Sequence, residues 1–302
     1  MHTTASSATA VSPARAWLLA ARPKTLPAAV APVIVASALA FSQDAFAALP
    51  AAVALLCALL IQIATNLAND YFDYMKGADT AERIGPVRVV QSGLLPPRTV
   101  RNAMLAVLGL TFVLGLYLVW VGGWPILLIG VLSLLCAVAY TAGPLPLAYV
   151  GLGDVFVFVF FGVVAVMGTY FVQTLQWSHD AFIASLPIGA ISTAILVVNN
   201  YRDIDTDRRS NKRTLAVRIG RRASQVEYGL LLALAYGVAL WQTFARMSPW
   251  FLLPLATLPL AFPLLNVLLR STDGVVLNHA LGGTGRLLAL YALLYSIALL
   301  AG

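Results

Sequence analysis

The feature that most limits this chain is a succession of long apolar runs, rich in Ala, Leu and Val, with no apolar-polar alternation. In lipid every backbone N–H and C=O must be satisfied within the protein, which leaves helices and closed barrels. Barrel strands need period-two alternation, so runs such as 48–68 and 153–175 select helices. Composition agrees, since 60% apolar residues, 10% charged residues and a mean hydropathy of +0.86 describe a chain whose solvent is a bilayer. The expected fold class is all-α, a polytopic membrane helical bundle.

Polar and Gly/Pro-rich breaks divide the chain into nine expected spans, near 26–42, 48–68, 102–120, 124–141, 153–175, 181–200, 225–245, 249–269 and 285–301. Several are shorter than the roughly 20 residues that cross a hydrocarbon core, a deficit that tilt or local thinning absorbs. Trp17, Trp120, Trp124, Trp177 and Trp250 fall near span ends, as interface aromatics do. Residues 1–14 lack the basic start of a signal peptide and read as a disordered tail, leaving 15–302 as a single transmembrane domain.

All but Arg246 of the 19 Lys and Arg residues fall on one side of this nine-span layout. The positive-inside rule puts that side, with the N-terminus and both long polar segments, in the cytoplasm. The net charge of +7 is thus explained by membrane orientation, and a nucleic-acid partner is not expected. Cys57 and Cys136 sit inside apolar runs and read as small buried hydrophobes. His2, His179 and His279 have no ligand spacing, so no zinc site is expected.

The two polar segments carry the chemistry. In the first, Asn66, Asn69, Asp70 and Asp73 begin where the second span is still helical, and spacings of three and four bring their oxygens within one turn. In the second, Asn199, Asp203 and Asp207 fall at successive four-residue steps after the sixth span. Asn69 to Asp73 repeats the separation of Asn199 to Asp203, a weak sign of internal duplication. With Asp79, Glu82 and Asp205, these segments hold seven of the 12 acidic residues beside the densest Lys and Arg. A hard cation such as Mg²⁺, held by one or two carboxylates and completed by phosphate oxygens, suits that mixture, with bases neutralising the remaining charge. Solvated loops with Asp paired to Arg are the plainer alternative. Acids that begin at span ends weigh against it, because ionisable groups at membrane depth are costly.

The pattern resembles the UbiA-type intramembrane prenyltransferases, whose Asn-Asp-x-x-Asp-x-x-x-Asp segment follows the second helix and whose Asp-x-x-x-Asp segment follows the sixth. Asn69, Asp70 and Asp73 match the first and Asp203 and Asp207 the second, while Gly77 stands where the last acid of the first is expected. The longer form, ending on Gly77-Ala78-Asp79, resembles the 1,4-dihydroxy-2-naphthoate prenyltransferase branch, with Asp79 replacing the shifted carboxylate. Arg22-Pro-Lys-Thr-Leu-Pro27, Gly85-Pro-Val-Arg-Val-Val-Gln-Ser-Gly93 and Asn211-Lys-Arg-Thr-Leu-Ala-Val-Arg-Ile-Gly220 resemble the same branch.

The resemblance implies about nine helices around a central cavity open to the cytoplasm, in a bacterial inner membrane. It further implies Mg²⁺-dependent transfer of a long chain from a polyprenyl diphosphate to 1,4-dihydroxy-2-naphthoate, in membrane lipid. The prenylated carbon loses its carboxylate as CO₂, giving demethylmenaquinol in menaquinone biosynthesis. Asn69, Asp70, Asp73, Asp79, Asn199, Asp203 and Asp207 are the expected metal and diphosphate ligands, with Asp73, Asp203 and Asp207 catalytic. Lys24, Arg88, Lys212 and Arg213 are the expected phosphate contacts, although Lys24 reads equally as a topology anchor. Tyr140, Tyr149 and Asp154 are candidates for the acceptor pocket, against a reading as interfacial anchors around a Gly/Pro turn. Two alternatives stay open: another acceptor such as 4-hydroxybenzoate or homogentisate, and a transporter, whose acids would lie at the bilayer midplane.

Overall fold

The computed structural model describes residues 11–77, 85, 87–143 and 146–302, and among them there is no β-strand. Helices α1 (Pro13–Ala21) and α2 (Pro27–Ser42) are joined by a tight elbow. They are followed by α3 (Ala48–Met75), α4 (Pro97–Gly122) and α5 (Trp124–Ala139). Then come α6 (Gly153–Thr174), α7 (His179–Arg202), α8 (Ile204–Arg209), α9 (Leu215–Ala245), α10 (Pro249–Arg270) and α11 (Gly274–Ala301). Helix α1 opens at Pro13, capped by Ser12, inside the stretch expected as tail.

Seven of these helices are long and apolar enough to span a bilayer, and α1 with α2, bent by 51°, makes an eighth crossing if the pair is one broken span rather than a re-entrant loop. At 16 residues α5 falls short of the usual length. Length and composition therefore support seven or eight crossings among the described residues, while the expected nine depends on α5. The protein is a multi-pass membrane bundle.

Three local features shape the interior. Arg22 takes a left-handed φ of 50° between α1 and the proline-bounded turn at Pro23, so the chain folds back before Pro27 restarts a helix. Helix α7, central and buried along most of its length, carries Ala184, Ser185, Gly189 and Ala190, which let neighbours approach. A Cβ on Gly162 would lie 2.6 Å from the Gly189 Cα, so α6 and α7 meet backbone to backbone where α6 widens into a π-turn over Phe158–Val164. Helix α3 runs on to Met75, seven residues past its expected end, so Asn66, Asn69, Asp70 and Asp73 are all helical.

The bundle's far face shows the opposite character. Arg246, after α9, pairs with Asp180 in the first turn of α7 at 2.6 Å, while Trp120, Trp124 and Trp177 are exposed around the rim.

Candidate active site

On α3, Gln62, Asn66, Asn69 and Asp73 recur at spacings of four, three and four, which aligns them on one face. All four line a cavity of 380 Å³. Its polar mouth is completed by Arg22, Arg88, Tyr140, Thr141, Asn199, Asn200 and Lys212, and its walls continue between apolar side chains such as Leu116, Val119, Phe160 and Phe161. Cys57 and Cys136 lie along these walls as unpaired thiols.

Asp73 is 2% exposed, accepts a hydrogen bond from Tyr149 Oη at 2.9 Å and pairs with Arg88 at 2.8 Å. Asp70 points elsewhere. Its two oxygens accept the Val89 and Val90 backbone N–H groups at 3.1 and 3.0 Å, and Arg22 lies 3.7 Å away. Expected as a metal ligand, Asp70 is placed outside the cavity lining, anchoring the segment that delivers Arg88.

The second segment breaks after Arg202, where Asp203 (φ −94°, ψ 7°) separates α7 from α8. The buried Arg202 guanidinium donates to both oxygens of Asp203 at 2.8 and 2.6 Å. It also donates to Asn199 Oδ1 at 2.9 Å and to Asn278 Oδ1 at 2.6 Å. Two expected ligands, Asn199 and Asp203, thus share one guanidinium. Asn199 lines the cavity and accepts one guanidinium N–H through Oδ1, which leaves its amide N–H₂ available as a donor. Asp203 is likewise held by Arg202, outside the cavity lining. Asp207, also outside the cavity lining, is buried 3.7 Å from the Nζ of the lining residue Lys212, and its carbonyl accepts the Lys212 backbone N–H at 2.8 Å.

Tyr149 ties the two segments together. Its hydroxyl holds Asp73, its ring is flanked by Lys76 at 4.6 Å and Lys212 at 5.5 Å, and its carbonyl accepts the Arg213 N–H at 3.1 Å. Lys76 donates to the Thr141 carbonyl at 2.6 Å, and Thr141 Oγ1 donates to Asn69 Oδ1 at 3.1 Å. Burial lowers the Lys76 pKa, Asp73 opposes that shift and Lys212 adds to it. Asp154 is buried beside Gly153, where an added Cβ would lie 3.2 Å from Tyr140 Oη. Lys24 and Arg213 have exposed side chains outside the lining, and Asp79 and Glu82 lie outside the described residues.

The sequence reading missed Arg22, Gln62, Lys76 and Arg202. A polar Gln62 in an apolar run, one turn before Asn66, was a usable signal. Arg22 was hidden among topology anchors, because only the elbow turns it inward.

Among the described residues no three acidic, His or Cys side chains converge to enclose a metal on their own. Asp73 and Asp207, hard oxygen donors each with a basic partner, fit a divalent cation that takes one or two carboxylates and completes its shell from phosphate. A helical membrane bundle with two acid-and-base segments over the mouth of an apolar-walled cavity is the architecture of intramembrane prenyltransferases.

Residues 29–275 match the UbiA prenyltransferase family, and the chain belongs to it. It is 38% identical to the 1,4-dihydroxy-2-naphthoate octaprenyltransferase of Escherichia coli (strain K12), over 91% of this chain and 91% of that one. It is also 38% identical to the protein of that name from Mycobacterium tuberculosis (strain ATCC 25618 / H37Rv), over 95% and 97%. A solved UbiA homolog from Archaeoglobus fulgidus bound to DMAPP and Mg²⁺ shares the fold with a TM-score of 0.66. Identity there is 14%, with 94% of this chain and 99% of that chain covered.

Proposed function

We propose that this chain transfers a long prenyl group from a polyprenyl diphosphate to 1,4-dihydroxy-2-naphthoate, releasing the carboxylate as CO₂ and giving demethylmenaquinol. The observation that carries the reading is the cavity itself. One chamber is polar at its mouth, where Asp73, Arg88, Asn199 and Lys212 gather, and apolar along its walls. An amphiphilic diphosphate has that same division, and the relatives' names supply the acceptor.

Asp73 and Asp207, with Asn69, are the residues that would hold Mg²⁺. Bound there, Mg²⁺ supplies Lewis-acid charge to the leaving diphosphate. Arg88 and Lys212 move their charge from the carboxylates toward phosphate oxygens, and the Asn199 amide donates to the same oxygens. Asp70 and Asp203 act one step back, holding the Arg88 segment and the α7–α8 break. The apolar walls exclude water, so the allylic electrophile meets the aromatic ring instead. Tyr140, with Asp154 behind it, lines the acceptor end. Residues 15–302 form one catalytic domain of a bacterial cytoplasmic membrane, with its mouth on the cytoplasmic side where the basic residues gather.

Purified protein given Mg²⁺, a long prenyl diphosphate and either dihydroxynaphthoate or 4-hydroxybenzoate tests this directly. Naphthoate-dependent CO₂ release with a prenylated product is expected. Prenylation of 4-hydroxybenzoate alone, or solute transport by proteoliposomes without any prenyl transfer, would overturn the reading.

A further inference from the structure

Three turns before Asp73 on the same face of α3, roughly 16 Å along the helix axis, Gln62 lines the cavity and is 7% exposed. Thr25, in the elbow between α1 and α2, sets the orientation of its amide. Thr25 Oγ1 donates its one hydrogen to the Arg22 carbonyl at 2.9 Å, and so can only accept from its other neighbours. It accepts from Gln62 Nε2 and Asn66 Nδ2, each at 3.0 Å. Asn66 is fixed a second time, because the same nitrogen donates to the Ala21 carbonyl at 3.0 Å. The Thr25 hydroxyl is then saturated.

Gln62 therefore turns Oε1 away from Thr25, and that buried oxygen has no hydrogen-bond partner among the described residues. A lone carboxamide acceptor held rigid at membrane depth is destabilising unless a donor arrives. Nothing in the diphosphate can serve, since its oxygens only accept.

We propose that Gln62 Oε1 accepts a hydrogen bond from a ring hydroxyl of the aromatic acceptor, with Thr25 as its positioning residue. This rests on the reading of the chain as an aromatic prenyltransferase. The hydroxyl keeps its proton in this contact. The bond holds the ring at a fixed tilt and raises electron density on the oxygen that feeds the attacking carbon. An acceptor oxygen repels a carboxylate, so the substrate enters hydroxyl first and leaves its acid group toward the basic mouth.

The test measures kcat/KM of the full-length protein with Mg²⁺ and a prenyl diphosphate, using dihydroxynaphthoate and its two mono-O-methyl ethers. In the unaltered chain at least one ether should be poorer by about 10-fold or more, because the methyl removes the donor. Gln62→Leu should abolish that discrimination and leave the KM for prenyl diphosphate unchanged. Thr25→Val should reproduce the loss, and Thr25→Ser should restore the discrimination. Discrimination that survives Gln62→Leu, or a KM for both substrates that rises together, overturns the proposal. If Gln62→Leu does not fold, the Thr25→Val and Thr25→Ser pair decides. Failure of the unaltered chain to prenylate any hydroxynaphthoate would instead overturn the acceptor reading itself, before any variant is compared.

Discussion

The two acidic segments look alike in sequence and are built differently. Asp70 and Asp73 ride on one unbroken helix, whereas Asp203 sits at a break and Asp207 on the short helix beyond it. Yet each segment divides its labour the same way. One acid is locked to fixed donors, Asp70 by two backbone N–H groups and Asp203 by the Arg202 guanidinium. The other acid pairs with a base carried on the following loop, Asp73 with Arg88 and Asp207 with Lys212. Neighbouring carboxylates of one motif are thus unequal, and spacing alone does not say which is which.

The largest effect should separate the two kinds of acid. Asp73→Ala and Asp207→Ala should each lower prenyl transfer by roughly 1000-fold. Full activity in either variant would dissolve the division. Arg202→Met tests the locked kind. It leaves Asp203 buried without its guanidinium, so about 3–5 kcal/mol of stability should be lost, read as a lower unfolding midpoint in detergent. An unchanged midpoint would mean that Asp203 is held by something other than Arg202.

Smaller effects sharpen the contrast between the loop bases. Lys212→Ala and Arg88→Ala should raise the KM for prenyl diphosphate roughly 10- to 100-fold and leave the acceptor KM nearly unchanged. Equal rises for both substrates would place these bases elsewhere in the cycle. The smallest effect is a pH limb. Burial depresses the Lys76 pKa below its ordinary 10.5, against the pull of Asp73 and with help from Lys212. A base with a lowered pKa sheds its proton earlier as pH rises, so the alkaline limb of kcat/KM for the diphosphate should lie below that value. Lys76→Arg keeps its charge and should move the limb upward, and an unmoved limb would assign it to another group.

Much of this was legible beforehand because lipid leaves a chain few options. Apolar run length located the helices, since that signal does not depend on long-range packing. Asn69, Asp73, Arg88, Tyr140, Asn199 and Lys212 were named from motif and resemblance, and all line one cavity. Helix ends were less legible. The run of apolar residues stops at 68, but α3 continues to Met75 because packing and the Asp70 contacts support it where hydropathy no longer does.

What the sequence determined by itself is the helical membrane bundle, the shared face of the two acidic segments and the kinds of side chain gathered there. These follow from local chemistry and from the expense of charge in hydrocarbon. Only the tertiary structure decided which acid is locked and which pairs with a loop base, that Asn199 accepts from Arg202, and that Thr25 turns the Gln62 oxygen away from itself. Each of those depends on which partner claims a lone pair or a proton first.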